Sequence, residues 1–462
     1  SSGGFMADCK FDGLVSSGSQ QQYLCRNNEW GYWEGGVWNM VFTGVRTSII
    51  PKGMWPYVPY TRVEKTPKIQ EKPYVCYDEE NGFGVMVPAQ RTNCDGTSWE
   101  NGVNGTFYSL NTFYVAQAQK DNADTINQAL KDGKNILLTP GIYKLDKSLK
   151  VTRENTIIYG MGLATLEAAN GNACMETSDV SGIKVSGILL DAGEKKSETL
   201  LSVGDKKTDV SHKDNPICFS DVYFRVGGGK YAGKVGNCVT INSNDVIGDN
   251  FWVWRADHST NVGWDVNTAP NGIVINGDNV TMYGLFVEHF QEYQTIWNGN
   301  GGKLYFYQSE MPYDVPKQNK YMSHNGKVKG YASLKIGDKA ENFEGYGIGI
   351  YCYNRDADIE IFSGAEIPDK KGIALHNVVT VKLNGHGQIT HVINGQGDAV
   401  TGGGDTAHIK LYENGKIEKT ILPFISFSET KPRIRLSKES PRLSPTTKYF
   451  PSGTLKLPKE AI

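Results

Sequence analysis

NCVTINSNDVIGDNFWVWRADH, from Asn237 to His258, and NGIVINGDNVTMYGLFVEHF, from Asn271 to Phe290, write one pattern twice. Superposing Asn237 on Asn271 also brings Ile241 onto Ile275, Asn242 onto Asn276, Val246 onto Val280 and Val253 onto Val287, all at one constant offset. A looser third turn, GGKLYFYQSEMPYD, runs from Gly301 to Asp314. Short apolar runs punctuated by Asn and Gly, with a period of about 20 to 35 residues, cannot each bury an apolar face alone; stacked, they share one core. The pattern predicts a solenoid, and runs this short are strands rather than helices.

The same grammar extends in both directions. TIIYGMGLATLEA (from Thr156), SGIKVSGILLDAG and NPICFSDVYFRVGG precede the repeat; YGIGIYCYNRDADIEIF, KGIALHNVVTVKL and GQITHVING follow it. Many runs end in Asn, Asp or Gly, which take the turn conformations that carry one strand into the next coil. The expected fold is all-β, a right-handed parallel β-helix over 113–404. A β-sandwich is the competitor, but it needs tight hairpins, and Asn-Gly turns between alternating strands are few. Upstream, Asn122 or Asp124 caps a short helix with Ile126, Ala129 and Leu130 on its apolar face and Gly133 at its end, a lid for the first coil.

Residues 1–112 differ, being rich in Trp, Tyr and Pro and holding four of the eight cysteines. WGYWEGGVWNMVFTGV (Trp30–Val45) alternates large apolar residues with small ones, as strands against an aromatic core do, and Pro51, Pro56, Pro59, Pro67 and Pro73 exclude helix. A β-rich region packed on the solenoid is expected. After Gly404 the pattern decays. In 405–462 the stretch from Lys431 onward sets eight Lys or Arg against Glu439 and Glu460, interleaved with five prolines. That composition describes an extended basic tail, either solvated or free to bind another copy of the chain, an extracellular protein or an acidic polymer.

A net charge of −2 gives no basic field for nucleic acid, and no uninterrupted apolar run reaches the length of a membrane span. Neither is an expected partner. Cys9, Cys25, Cys76, Cys94, Cys174, Cys218, Cys238 and Cys352 include no C-x-x-C pair, which argues against zinc and favours disulfides in an oxidising compartment over buried thiols. The opening SSGGF reads as a processed chain, and Asn104 and Asn279 begin glycosylation sequons. A secreted, extracellular glycoprotein is the expectation.

YWEGGVWNMVFTGV, NGFGVMVPAQR, DTINQALKDGKNILLTPGIY, NDVIGDNFWVWRADH, DNVTMYGLFVEHFQEYQTIWNGNGG and YFYQSEMPYDVP resemble stretches of secreted microbial pectate-lyase-like proteins. Those proteins are commonly labelled coagulation factor 5/8 type domain proteins or adenylyl cyclases. They are similar in outline to the β-helical glycoside hydrolases of families 55 and 87, which cut β-1,3- and α-1,3-glucans. The resemblance covers Trp30 to Gly397. It implies a secreted β-helix associated with polysaccharide, and the fold it implies is shared by lyases, hydrolases and adhesins.

Equivalent positions on successive coils lie about 4.8 Å apart, so a β-helix can place two carboxyls at the roughly 5–5.5 Å of retaining glycosidases or, one coil further, within the roughly 6.5–9.5 Å of inverting ones. The candidates for acid and base are Asp191, Asp257, Glu288 and Glu310. Arg255, His258, His289 and Asp314 are candidates for polar sugar contacts, and Trp254, Trp264, Trp297 and Tyr313, with Trp252 and Tyr307, for flat faces. The register of the two copies sets Glu288 beside Trp254 and His289 beside Arg255, while the loose third turn leaves Glu310 unplaced within two positions. The carboxylates thus read as a cluster and not as one clean column. No metal site or cofactor is expected: GMGLAT and GNGGK are incomplete nucleotide motifs, and no Asp-rich calcium cluster stands out. Two functions remain open, a glycoside hydrolase working on a glucan-like polymer in a groove along the coils, and a non-catalytic extracellular protein using the scaffold for assembly or sugar binding.

Overall fold

The structure is a computed structural model that describes residues 3–47, 53 and 55–419; the basic stretch from Lys431 onward lies outside the described residues. The N-terminal region is itself coiled. Strands β1 (Gly3–Ala7), β2 (Gln22–Arg26), β3 (Asn39–Thr43) and β4 (Tyr60–Val63) form a parallel sheet in which Gly3, Gln22 and Asn39 share one register position. Trp30 and Trp33 pack edge-on to Phe42 beneath this sheet, so the Trp-rich stretch does fill a core. Its parallel stacking was not legible in the residues, because short coils with polar strands lack a clean apolar period.

The solenoid proper follows. β5 (Phe113–Ala116), helix α1 (Ala123–Lys131) and β6 (Asn135–Leu138) begin it. Asn122 caps α1 in a reciprocal capping box with Thr125, and Ala123, Ile126, Ala129 and Leu130 turn inward onto the first coil. β7 (Ile157–Ala168), β8 (Lys184–Ala192), β9 (Cys218–Val226), β10 (Ile247–Arg255), β11 (Thr281–Glu288), β12 (Gly302–Glu310), β13 (Phe343–Cys352) and β14 (Ile373–Lys382) then stack in parallel. β15 (Thr406–Glu413) pairs antiparallel to β14 and β16 (Lys416–Glu418) to β15. The sheet thus runs past Gly404, where the apolar pattern fades: the terminal strands need bury only one face. A second parallel sheet of eight short strands faces the first across a continuous aliphatic core.

The repeat read from the sequence is a hydrogen-bonded fact. Asn237 pairs with Asn271, Ile241 with Ile275 and Val253 with Val287. The punctuating Asn residues form a ladder in which the Asn276 amide donates to Asn242 (2.8 Å) and the Asn298 amide to Asn276 (2.9 Å), joining three coils at one turn.

A second column bends the large sheet. Asp221, Asn250, Gly284, Phe306, Gly347 and Asn377 occupy one register position and all have positive φ, between 53° and 69°. Gly, Asn and Asp tolerate this conformation; Phe306 is strained by it. At Gly284 a Cβ would stand 3.0 Å from Phe5 and 3.2 Å from Leu24, because the N-terminal sheet lies on this bend. Leu24 and Val41 pack there against Ile247, Tyr283, Tyr305 and Phe306. Buried Arg26 ties the two parts, donating to Glu71 at 2.7 and 2.8 Å and to Asp249 at 2.8 and 3.1 Å.

The disulfides expected from eight cysteines are not formed. All eight are thiols, and Cys25, Cys174, Cys218, Cys238 and Cys352 are buried as small apolar residues.

Candidate active site

Along β10, β11 and β12 side chains alternate between core and outside: Phe251, Val253, Leu285, Val287, Tyr307 and Ser309 are buried between the sheets, and the residues between them face outward. Register sets the outward ones in columns. Trp252, Phe286 and Gln308 form one; Trp254, Glu288 and Glu310 form the next, two residues on. Glu310, which the loose third turn left unplaced, is thereby fixed: Glu288 and Glu310 are a direct pair on adjacent strands, with Asp257 of the cluster outside their column. The third turn departs from the spacing of the first two copies because its return path is shorter, which shifts the numbering without shifting the register.

These columns line a cavity of about 540 Å³. Its floor holds Trp252, Trp254, Glu288, Gln308 and Glu310; Asp257, His258, His289 and Tyr313 come from the turns after the strands; Gly3, Gly4, Phe5 and Gln22 of the N-terminal sheet form a wall. The Trp252 and Trp254 rings stack at 5.0 Å and 15°, giving a flat apolar face beside the carboxyls.

Burial, and next the charge of Glu310, push the Glu288 carboxyl up to about 8, against the opposing hydrogen bond from the Trp252 indole at 2.9 Å. Glu310 accepts from the Tyr313 hydroxyl and from the Gln308 amide (3.2 Å). Burial and then the Glu310 charge raise the Tyr313 phenol far above its ordinary range, so it stays a donor. Asp257 is the counterpart. Burial works to raise its carboxyl, but the charges of His289 and His258 and the hydrogen bond from His258 (2.8 Å) outweigh it and hold Asp257 below the usual range. The cavity thus pairs a carboxyl that keeps its proton at neutral pH with one that has lost it, the combination acid–base chemistry requires.

Of the residues singled out from the sequence, Asp257, Glu288, Glu310, Trp252, Trp254, His258, His289 and Tyr313 converge here. Six do not, and one of them, Tyr307, is buried in the core between the sheets. Asp191 lies in the Glu288 column but three strands away, gripped by the Arg225 guanidinium at 3.2 Å, and a paired carboxylate so far along the sheet is structural. Arg255 is fully buried and bidentate to Asp314 at 2.9 and 2.8 Å, so neither side chain is free to meet a sugar. Trp264 packs on Arg255 and Tyr321, and Trp297 is a core residue edge-on to Phe343. Phe286, Gln308 and Asn250 were missed, as was the N-terminal wall. The first two carried a signal, since they stand two residues before Glu288 and Glu310 on the same strand face. The wall, contributed by the far N-terminal end of the described chain, carried none. Among the described residues no group of three or more His, Cys, Asp or Glu is placed to hold a metal ion, and no helix is long and apolar enough to cross a membrane.

A family model described as the LAM55 pectate lyase-like domain matches residues 113–310. An exo-β-1,3-glucanase of Streptomyces sp. (strain SirexAA-E / ActE) is 45% identical over 403 residues, which are 87% of this chain and 66% of that protein. The chain thus spans just under two thirds of that relative's length. Two solved structures of sacteLam55A from Streptomyces sp. SirexAA-E, one of them a variant in complex with glucose, are 43% and 42% identical and superpose with a TM-score of 0.85. Each match covers 88% of this chain and 74% or 73% of the solved one.

Proposed function

The chain belongs to the family built on the LAM55 pectate lyase-like domain, and from that premise we propose that it is a glycoside hydrolase that removes sugar units from the end of a β-1,3-linked glucan. The observation that carries this reading is the register pairing of Glu288 with Glu310 inside an aromatic cavity that also holds Asp257. The Glu288 carboxyl, kept protonated by burial and by the charge of Glu310 on the neighbouring strand, gives its proton to the departing glycosidic oxygen, and ionised Asp257 is the candidate to take a proton from the attacking water. Trp252 and Trp254 offer the face on which a pyranose ring lies. A cavity within the roughly 300–1,000 Å³ of small-ligand sites, walled by Gly3, Gly4, Phe5 and Gln22, suits a chain end better than the open groove anticipated from the coils alone. The exo action of the glucanase relative supports the same choice.

A glucan polymer is met outside the cell, so we assign the protein an extracellular site of action. Asn104 and Asn279 are exposed and free to carry glycans. Asn279 precedes β11, at the opposite end of the strand from Glu288, so a glycan there would stand clear of the cavity.

Incubation with a panel of α- and β-linked glucans, with the products separated by size, tests the reading. Release of glucose alone from a β-1,3-glucan at the earliest times is expected. No new reducing ends from any polymer, with Glu310→Gln indistinguishable from the parent, would leave only the non-catalytic role.

A further inference from the structure

His289 sits behind the carboxyls of the cavity and is held there from every side. Its side chain is 3% exposed, and its ring packs on Tyr313 with centroids 4.3 Å apart. Its backbone N–H donates to the Glu310 carbonyl at 2.9 Å, and its own carbonyl accepts from Arg255 at 3.1 Å. Arg255 in turn is fixed by Asp314. The residue has φ of 69°, in the left-handed region that few residues other than glycine, asparagine, aspartate and histidine adopt.

This frame fixes the ring's chemistry. Nδ1 lies 3.1 Å from the Met311 carbonyl oxygen, which can only accept, so Nδ1 carries a hydrogen in either charge state. Nε2 faces Asp257 at 3.6 Å and Glu310 at 3.9 Å. Both distances exceed a hydrogen bond, so the coupling is through charge. The other groups around it are Glu288 on β11, Tyr313 against the ring, His258 bound to the far side of Asp257, and the Arg255–Asp314 pair, which neutralises itself.

The geometry points to His289 as a positioning residue that bridges Asp257 and Glu310 and sets the charge the Asp257 carboxyl faces. This rests on the reading of the cavity as a glycosidase centre. A ring that merely filled space would hold Tyr313 and Met311 in place and leave the protonation of Asp257 untouched.

His289→Asn separates the two. Asn tolerates the left-handed backbone and takes no positive charge. In protein carrying ¹³C-carboxyl aspartate, with Asp257→Asn identifying the signal, the Asp257 titration midpoint is expected to rise by about one pH unit or more, as loss of an opposite charge within about 4–6 Å dictates. The acid limb of kcat/KM should move with it. His289→Gln is the second variant, and thermal melts certify that each is folded. An Asp257 midpoint unchanged in the folded variants overturns the proposal. Because the titration needs no substrate, a parent protein inactive on every glucan would remove the functional reading while this measurement still decided the role of His289.

Discussion

Glu288 and Glu310 are hydrogen-bonded register partners on adjacent parallel strands, and their side chains leave the sheet on the same face. Strand spacing holds such a pair about 4.8 Å apart at the backbone. Two ionised carboxylates at roughly 4 Å repel by about 4 kcal/mol at the effective dielectric of a protein surface. The sheet cannot relax this by splaying, because Val287 and Ser309 beside them are locked in the core register. The proton is kept instead, and proton retention is the property a glycosidic leaving group needs.

Activity should follow that proton. Glu288→Gln and Glu310→Gln are each expected to lower kcat by about 10²–10⁴, the usual worth of a positioned acid or base. In the parent, kcat/KM should fall as pH rises through about 8, where Glu288 ionises. Release of reducing sugar from a β-1,3-glucan across pH 4 to about 10 measures both. An alkaline limb unchanged in Glu288→Gln would contradict the assignment.

Stability should run the other way. The folded-state value for Glu288 lies above the ordinary 4.5, so folding takes up a proton between about 4.5 and 8, and this contribution is lost as pH rises across that window. Glu288→Gln removes the cost of ionising a half-buried carboxyl beside Glu310. Its Tm is expected to match the parent at pH 4 and to exceed it by roughly 1 °C or more at pH 8, the equivalent of about 1 kcal/mol for a chain of 462 residues. Scanning calorimetry at the two pH values tests the sign.

The two tryptophans divide by role. Trp252→Ala should weaken substrate binding, raising KM by about three- to tenfold, with little change in Tm, since its ring is exposed on the cavity and such a face is worth roughly 0.5–1.5 kcal/mol. Trp297→Ala should instead cost about 3–5 kcal/mol of stability, because its ring is fully buried. Chemical denaturation and Michaelis–Menten kinetics on both variants would show whether the division holds.

With all eight cysteines present as thiols, reducing agent should leave Tm unchanged. A thiol-reactive dye added in denaturant, without prior reduction, should count eight groups. A lower count, with Tm falling on reduction, would reinstate the disulfides read from the cysteine pattern.

Much of the site was legible in the residues. The Trp254–Glu288 neighbour pair follows from the repeat, and the structure keeps it. Asp257, His258, His289 and Tyr313 were visible as polar and aromatic groups at the ends of short apolar runs, where a coil turns and side chains leave the core. Arg255, Asp314 and Trp297 were visible for the same reason and misread. A guanidinium between two coils either faces solvent or is buried with a carboxylate, and composition does not distinguish these. The wall formed by Phe5 and Gln22 depends on the N-terminal sheet lying over Gly284, and no local pattern announces a contact between chain segments so far apart.

By itself the sequence determined the β-helix, because apolar runs too short for helices and repeated at a fixed period bury themselves by stacking, and because Asn at the coil turns can build a ladder. It also determined which residues could carry acid–base chemistry. Only the tertiary structure decided that Glu288 meets Glu310, that Asp257 is kept ionised by two histidines, and that the groove is closed on one side. Those outcomes depend on how much chain each coil uses in returning to the sheet and on which side chains end up out of water. Both are set by packing across the whole molecule, not by the neighbours of any one residue.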